Sequence, residues 1–410
     1  MSIKTIDAPA ASESAANASL DYFKRHLREY GMLVALLAII VFFAIYSQVT
    51  GRPTFVSPSN LTNLFLQNSY VIVMAIGMLL IIITGHIDLS VGSLVGFIGA
   101  VGAVQIVLYG VPVPIACIVC LLVGALIGAI QGYFVAFLRI PSFIVTLAGM
   151  LVFRGLTFMT LGSSSSISPI PASLRALSTG TLPDFLPVLS PTFANSTTLV
   201  LAMVLAVGFA VFAFSRRAAK SRVRPVDEPY SFFVGRVVLV MAAVLYIGYL
   251  LASNRGLPNV LILMAVLIAV YAFVTTRTTI GRRVYAVGGN EKAAKLSGVK
   301  TERIVFLAFV NMGVLAAIAG LVFFARVGSA TAKNGTGLEL DVIAACFIGG
   351  ASAYGGVGKV TGAVIGAFIM GALNMGMQSA MQLSIDYQQL VKGLVLLAAV
   401  CFDVYNRNKA

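Results

Sequence analysis

Long apolar runs separated by short polar breaks dominate the sequence. They recur at residues 31–46, 61–83, 89–108, 143–161, 197–214, 232–251, 257–274, 304–324, 360–377 and 387–402. Another run is closed by Arg139 and Pro141, and a short one occupies 342–348. At 1.5 Å per residue most of them are long enough to cross the hydrocarbon core of a bilayer as helices. Twelve crossings would bring both ends of the chain to one side. The tenth run is too short for a full span, and glycines break the chain from 349 to 359. That pattern predicts a helix ending within the membrane zone, where only protein or water can cover its free backbone groups. The expected fold is an all-α, polytopic transmembrane bundle of about 10–12 membrane helices, with a short broken helix near 342–358.

Polar residues inside or beside these runs mark positions that cannot face lipid. Gln67, Asn68 and Ser69 open the second run, Arg154 lies within the fifth, and Asn311 is the one amide of the ninth. Amides at such depth face protein or water, and Arg154 either snorkels or turns inward. The break at 84–88 is too short for a free loop. Asp88 fits an N-cap for the third span there, and it and His86 either mark the cytosolic membrane edge or line a transport route. Lys333, Glu339 and Asp341 are expected in an outer loop. Glycines at 92 and 96, and at 124, 128 and 132, share one face of their helices and predict seams of close backbone approach.

Composition agrees: 59% hydrophobic and 10% charged residues, with a mean hydropathy of +0.98, exclude a soluble globule. The net charge of +14 could suggest nucleic acid, but Lys and Arg fall between apolar runs rather than on one amphipathic face. Membrane orientation accounts for them. Threading the chain through the spans puts twenty Lys and Arg on one side and five on the other. The basic side is cytosolic. It carries both termini, the cluster from Arg216 to Arg224, and a loop over 275–303. The segment 161–191, with a serine run and five prolines, is then external. Residues 1–23, rich in Ala and Ser, form a disordered cytosolic tail. The transmembrane domain spans 24–404, and 405–410 form a cytosolic C-terminal tail.

Within the basic loop, GRRVYAVGGNEKAAKLSGVK at 281–300 carries the signals of a short helix. Asn290 is its cap, Glu291 lies in the first turn, Lys295 in the last, and Gly298 supplies the left-handed terminus. A helix of about two turns is marginal in water and needs a surface to stay folded.

Catalytic chemistry is not legible. Two histidines and four scattered cysteines, with Cys117 and Cys120 inside an apolar span, supply no metal site. The segment 355–361 resembles a phosphate-binding loop but fails the test, because Val360 follows the lysine and Ala353 stands where glycine is required. No catalytic triad and no paired membrane carboxylates are present. The chain is expected to bind no cofactor and to be no enzyme, so energy for transport comes from an ion gradient or another subunit.

Three stretches, GHIDLSVGSLVG at 85–96, GRRVYAVGGNEKAAKLSGV at 281–299 and DVIAACFIGGASAYGGVGKVTGAVIGA at 341–367, together resemble the permease subunits of bacterial ABC importers for monosaccharides. His86 stands where that family more often has glycine. The extra length and the 216–224 cluster resemble the xylose or multiple-monosaccharide branch. The resemblance implies a homodimeric pore in the bacterial inner membrane, a periplasmic sugar-binding protein, and a cytosolic ATPase that holds ATP and Mg²⁺. It places Gly289, Asn290, Glu291, Ala294 and Gly298 in the ATPase-coupling stretch. For a neutral polyol, burial selects Asn68, Asp88, Asn311 and Glu339 as pathway residues. Alternatives are a permease for branched-chain amino acids or another small metabolite, a stand-alone secondary transporter, and, least supported, a membrane-embedded enzyme.

Overall fold

The computed structural model describes residues 27–52, 54–162, 166–186, 194–222 and 228–407. The tail expected at 1–23, Arg224, Ser163 to Ser165 and the last three residues lie outside them. In chain order the helices are α1 (Leu27–Val49), α2 (Pro58–Ile83), α3 (Val91–Ala103), α4 (Val113–Ala136), α5 (Ser142–Leu161), α6 (Ala172–Ser178), α7 (Ser196–Ser221) and α8 (Tyr230–Asn254). They continue with α9 (Asn259–Arg277), α10 (Thr279–Gly289), α11 (Glu291–Leu296), α12 (Thr301–Val327), α13 (Leu338–Ile348), α14 (Val360–Met375) and α15 (Ile385–Arg407). A two-residue strand pair, Ser166–Ile167 with Ala330–Thr331, is antiparallel.

Among the described residues ten helices are long and apolar enough to cross a membrane. That number falls within the expected 10–12, and the short broken helix is α13, only 11 residues long. The break after α13 is where the glycines predict it, at 349–359, but the helix begins earlier, at Leu338. Glu339 and Asp341 are therefore buried in its first turn rather than exposed in an outer loop.

The chain forms two compact units, one of residues 36–181 and 258–410, the other centred on 182–257. In the larger unit α2 is the central element. Every residue from 71 to 84 is buried, as the absence of any polar face along that stretch requires. Lipid is as apolar as leucine, so helices here gain little from hydrophobicity and associate through dispersion at close range. The seam between α4 and α12 shows how. A β-carbon at Gly313 would strike the Gly124 carbonyl oxygen and stand 3.0 Å from the Gly128 α-carbon, and one at Gly128 would lie 2.9 Å from the Val310 α-carbon. The predicted glycine stripe is thus a backbone-to-backbone contact.

The second unit contains the α7–α8 hairpin. Asn195 caps α7 through the Thr198 amide at 2.9 Å. Asp184 accepts from the Thr197 hydroxyl and from the amides of Ser196 and Thr197, and these donors, the hydroxyl first, hold its carboxyl below the usual range. Helix α7 runs to Ser221, so Arg216, Arg217 and Lys220 are helical rather than loop residues. Arg217 lies 4.6 Å over the Phe233 ring and 3.6 Å from Glu228.

Overpacking a seam made of backbone leaves nothing that can yield. Gly313→Leu should cost about 1–3 kcal/mol or more and lower the thermal unfolding temperature of the purified protein. Gly208→Leu, at a helical position with open space around it, should leave that temperature unchanged.

Candidate functional site

Two places in the larger unit concentrate chemistry. One is the helical pair α10–α11 with the surfaces it rests on, and the other is the first turn of α13.

The Thr278 hydroxyl caps α10 by accepting from the Gly281 amide at 3.2 Å. Gly281, Val284 and Val287 form its buried face, with Arg282 and Arg283 exposed opposite. Asn290 ends α10 and starts α11, its side-chain oxygen accepting from the Ala293 amide at 2.9 Å. Glu291 falls in the first turn and Lys295 in the last, and Gly298 follows with φ +83°, as its predicted role demands. The expected helix exists, though at six residues it is nearer a turn and a half than two. Residues 279–289, which the charged sequence suggested were loop, are helical as well. Lys295 Nζ reaches Glu302 at 2.5 Å and Arg139 approaches the same carboxylate at 3.7 Å, tying α11 to α12 and to the α4–α5 turn. Ala294 is buried in its own chain, whereas Leu296 is 91% exposed. A β-carbon added at Gly289 would point into open space.

Beneath α10 lies a seat made of backbone. A β-carbon at Gly288 would overlap the Ile83 carbonyl oxygen and stand 2.6 Å from the Gly356 nitrogen. That nitrogen donates to the same Ile83 oxygen at 2.8 Å. Gly356, at φ +74°, is 2.8 Å from the Gly289 α-carbon when given a β-carbon. The Tyr285 hydroxyl donates to the Gly358 carbonyl at 2.6 Å, and burial pushes its pKa up, which keeps the proton for that bond. The glycine-rich 355–361 segment, which failed as a phosphate loop, is therefore the cradle for a helix backbone. Beside it opens a cleft of about 680 Å³ lined by His86, Arg139, Glu291, Lys292, Lys295 and Glu302 among others. Burial lowers the His86 pKa, opposed in part by the Glu291 charge.

The α13 first turn holds two buried acids, and each faces a cation. Glu339 lies 3.7 Å from Arg154, and Asp341 accepts from Lys392 at 2.9 Å and from the Asn374 amide at 3.2 Å. Arg154 thus faces inward. Charges out of water survive only when paired, and breaking such a pair is more costly than replacing it whole. Among the described residues one oxygen of each acid, the Asn374 oxygen and the Asn68 nitrogen lack partners.

The four sequence-selected pathway residues do not form one cluster. Glu339 belongs to the α13 turn. Asn68 lies against Gly371, one turn before Asn374. Asn311 accepts from the Tyr271 hydroxyl. Asp88 is not the α3 cap, because Ser90 holds that position. The Asp88 carboxylate accepts from the Ser90 amide at 2.8 Å and hydroxyl at 2.6 Å, and Gln131 donates to that hydroxyl at 2.9 Å. Asp341, Asn374, Lys392 and Arg154 were missed as a group, although two lone cations within spans and two nearby acids were visible. Among the described residues no three His, Cys, Asp or Glu could hold a metal.

Gly288→Ala should unseat α10 and raise amide hydrogen exchange across 279–296, whereas Gly289→Ala should not. For the buried pair, Lys392→Met alone should cost about 3–5 kcal/mol. Pairing it with Asp341→Asn should recover most of that in thermal unfolding.

The chain matches the family described as branched-chain amino acid transport system / permease component, over residues 60–190 and 185–400. It is 38% identical over 388 residues to the xylose transport system permease protein XylH of Haemophilus influenzae, covering 94% of this chain and 98% of the relative. Similarity to XylH of Escherichia coli K12 is also 38%, over 94% of each chain, and to its ribose import permease protein RbsC 35%, over 93% of this chain and 96% of the relative. No solved structure matches. The length and identity of these similarities establish that the chain belongs to the branched-chain amino acid transport system permease component family.

Proposed function

We propose that this chain is the membrane subunit of an ATP-driven importer that carries a monosaccharide, xylose or a related sugar, across the bacterial inner membrane. Similarity to xylose and ribose permeases over more than nine-tenths of the chain supports the substrate class. The observation that carries the mechanism is the seat of α10. A force applied by a cytosolic ATPase at Leu296 reaches α10 through α11. The Gly288 contact then delivers it to the end of α2 and to the 349–359 segment, which joins α13 to α14. The apolar Leu296 side chain is the natural anchor for that partner, flanked by the exposed Glu291, Lys292 and Lys295.

At the α13 turn each acid is already paired with a cation, which leaves amides for hydrogen bonds with sugar hydroxyls. ATP and Mg²⁺ belong to the partner, a periplasmic binding protein delivers the sugar, and two copies of the chain enclose the pore. Both termini and 275–303 face the cytosol, so phosphatase fusions should be active within 166–186 and silent near residue 290.

Reconstituted with its ATPase and binding protein, the chain should take up labelled xylose or ribose in an ATP-dependent, protonophore-insensitive manner. Uptake of leucine instead, or uptake by the chain alone, would overturn the reading. Leu296→Asp should weaken ATPase co-purification about tenfold or more, a loss of roughly 1–3 kcal/mol, and leave the unfolding temperature unchanged. Bulking Ala294 tests coupling less cleanly, because that side chain packs into its own core.

A further inference from the structure

A second, smaller pocket of about 380 Å³ lies between α10, the turn after α11 and the start of α12, lined by Arg283, Gly298, Lys300, Arg303, Ile304 and Leu307. Its three charged residues are all basic and all exposed. Among the described residues none of them has a carboxylate within ion-pair distance. The neighbouring acid, Glu302, is committed instead to Lys295 and Arg139. Arg303 and Leu307 are one helical turn apart and share a face of α12. Leu307 is 54% exposed although α12 is a membrane-crossing helix. The pocket therefore joins three cations without counter-charge to an apolar wall facing the hydrocarbon edge. A soluble anion would satisfy the cations and leave the wall bare, and an acidic protein surface would meet the same mismatch. A phospholipid whose phosphate carries a net negative charge satisfies both.

We propose that the pocket between α10 and the start of α12 binds the headgroup of an anionic phospholipid, with its phosphodiester among Arg283, Lys300 and Arg303 and an acyl chain along Leu307. Basic pockets between helices at the cytosolic leaflet suit such headgroups, and each cation near the surface adds to the attraction. The bound lipid would brace the turn that ends α11, and so stiffen the platform on which the ATPase is proposed to act. The lipid site itself stands whether or not that reading holds.

Because the chain contains no tryptophan, a single Leu307→Trp gives an unobstructed fluorescent reporter. The full chain would be placed in phosphatidylcholine nanodiscs containing a minor fraction of phosphatidylglycerol, with one or the other lipid brominated. Brominated phosphatidylglycerol should quench the indole of the Leu307→Trp variant as though enriched about tenfold or more over its bulk fraction. A Leu126→Trp reporter, at an exposed position on α4, should show no enrichment. Arg283→Gln, Lys300→Gln and Arg303→Gln should each reduce the preference, and the triple variant should abolish it. Native mass spectrometry should then find one fewer phosphatidylglycerol per protomer. Equal quenching by the two lipids, or a preference that survives the triple substitution, would overturn the proposal. So would loss of the preference on adding millimolar inorganic phosphate, which would make the ligand a soluble anion, or on adding the ATPase, which would make the pocket a protein contact.

Discussion

The close approach of one backbone to another, where glycine withholds a side chain, is the interaction on which the rest of this protein depends. In lipid there is no water to expel from between helices, so affinity must come from dispersion and hydrogen bonds, and both are steep in distance. Along the α4–α12 seam this fixes the bundle. At Gly288 the same device joins α10 and α11 to it, since the Ile83 carbonyl touches α10 and accepts from Gly356 at once. A side chain in that gap would add rotamers and slack. Its absence leaves α10, the end of α2 and the 349–359 segment to move together.

Polar groups inside the bundle follow a second constraint, that charge removed from water must find charge. Asp341 and Lys392 connect α13 to α15, and Glu339 and Arg154 connect α13 to α5. A helix of 11 residues could not hold its place by length. Its first turn is held by two ion pairs and its last by the glycine segment that also seats α10. The broken helix is thus fastened at one end by electrostatics and at the other by backbone contact. That arrangement suits an element that transmits motion from the α10–α11 pair to a polar interior.

Much of this was legible in the sequence. The apolar runs are the spans within a few residues, and Asn290, Glu291, Lys295 and Gly298 hold the places in α11 that local capping rules assign. What local pattern could not supply was pairing at long range. Nothing near Glu339 indicates Arg154, nearly two hundred positions away, so the ion pair was not legible and an outer loop was expected there. Helix α10 was hidden because arginines and glycines obscured the Thr278 cap and the three-residue spacing of Val284 and Val287. The 355–361 glycines announced a close approach, but only the fold identifies the approaching group as a helix rather than a phosphate.

The central claim is that α10, α11 and the 349–359 segment form one rigid piece through the Gly288 seat. Spin labels at Lys292 and Val357, both exposed, would report it most directly in the assembled transporter with its native cysteines replaced. If the seat is rigid, the distance distribution between them keeps the same centre and width in nucleotide-free, ATP-trapped and sugar-loaded states. A distribution that shifts or broadens with nucleotide would show that the platform slides on its seat, and would contradict this account of how force reaches the bundle.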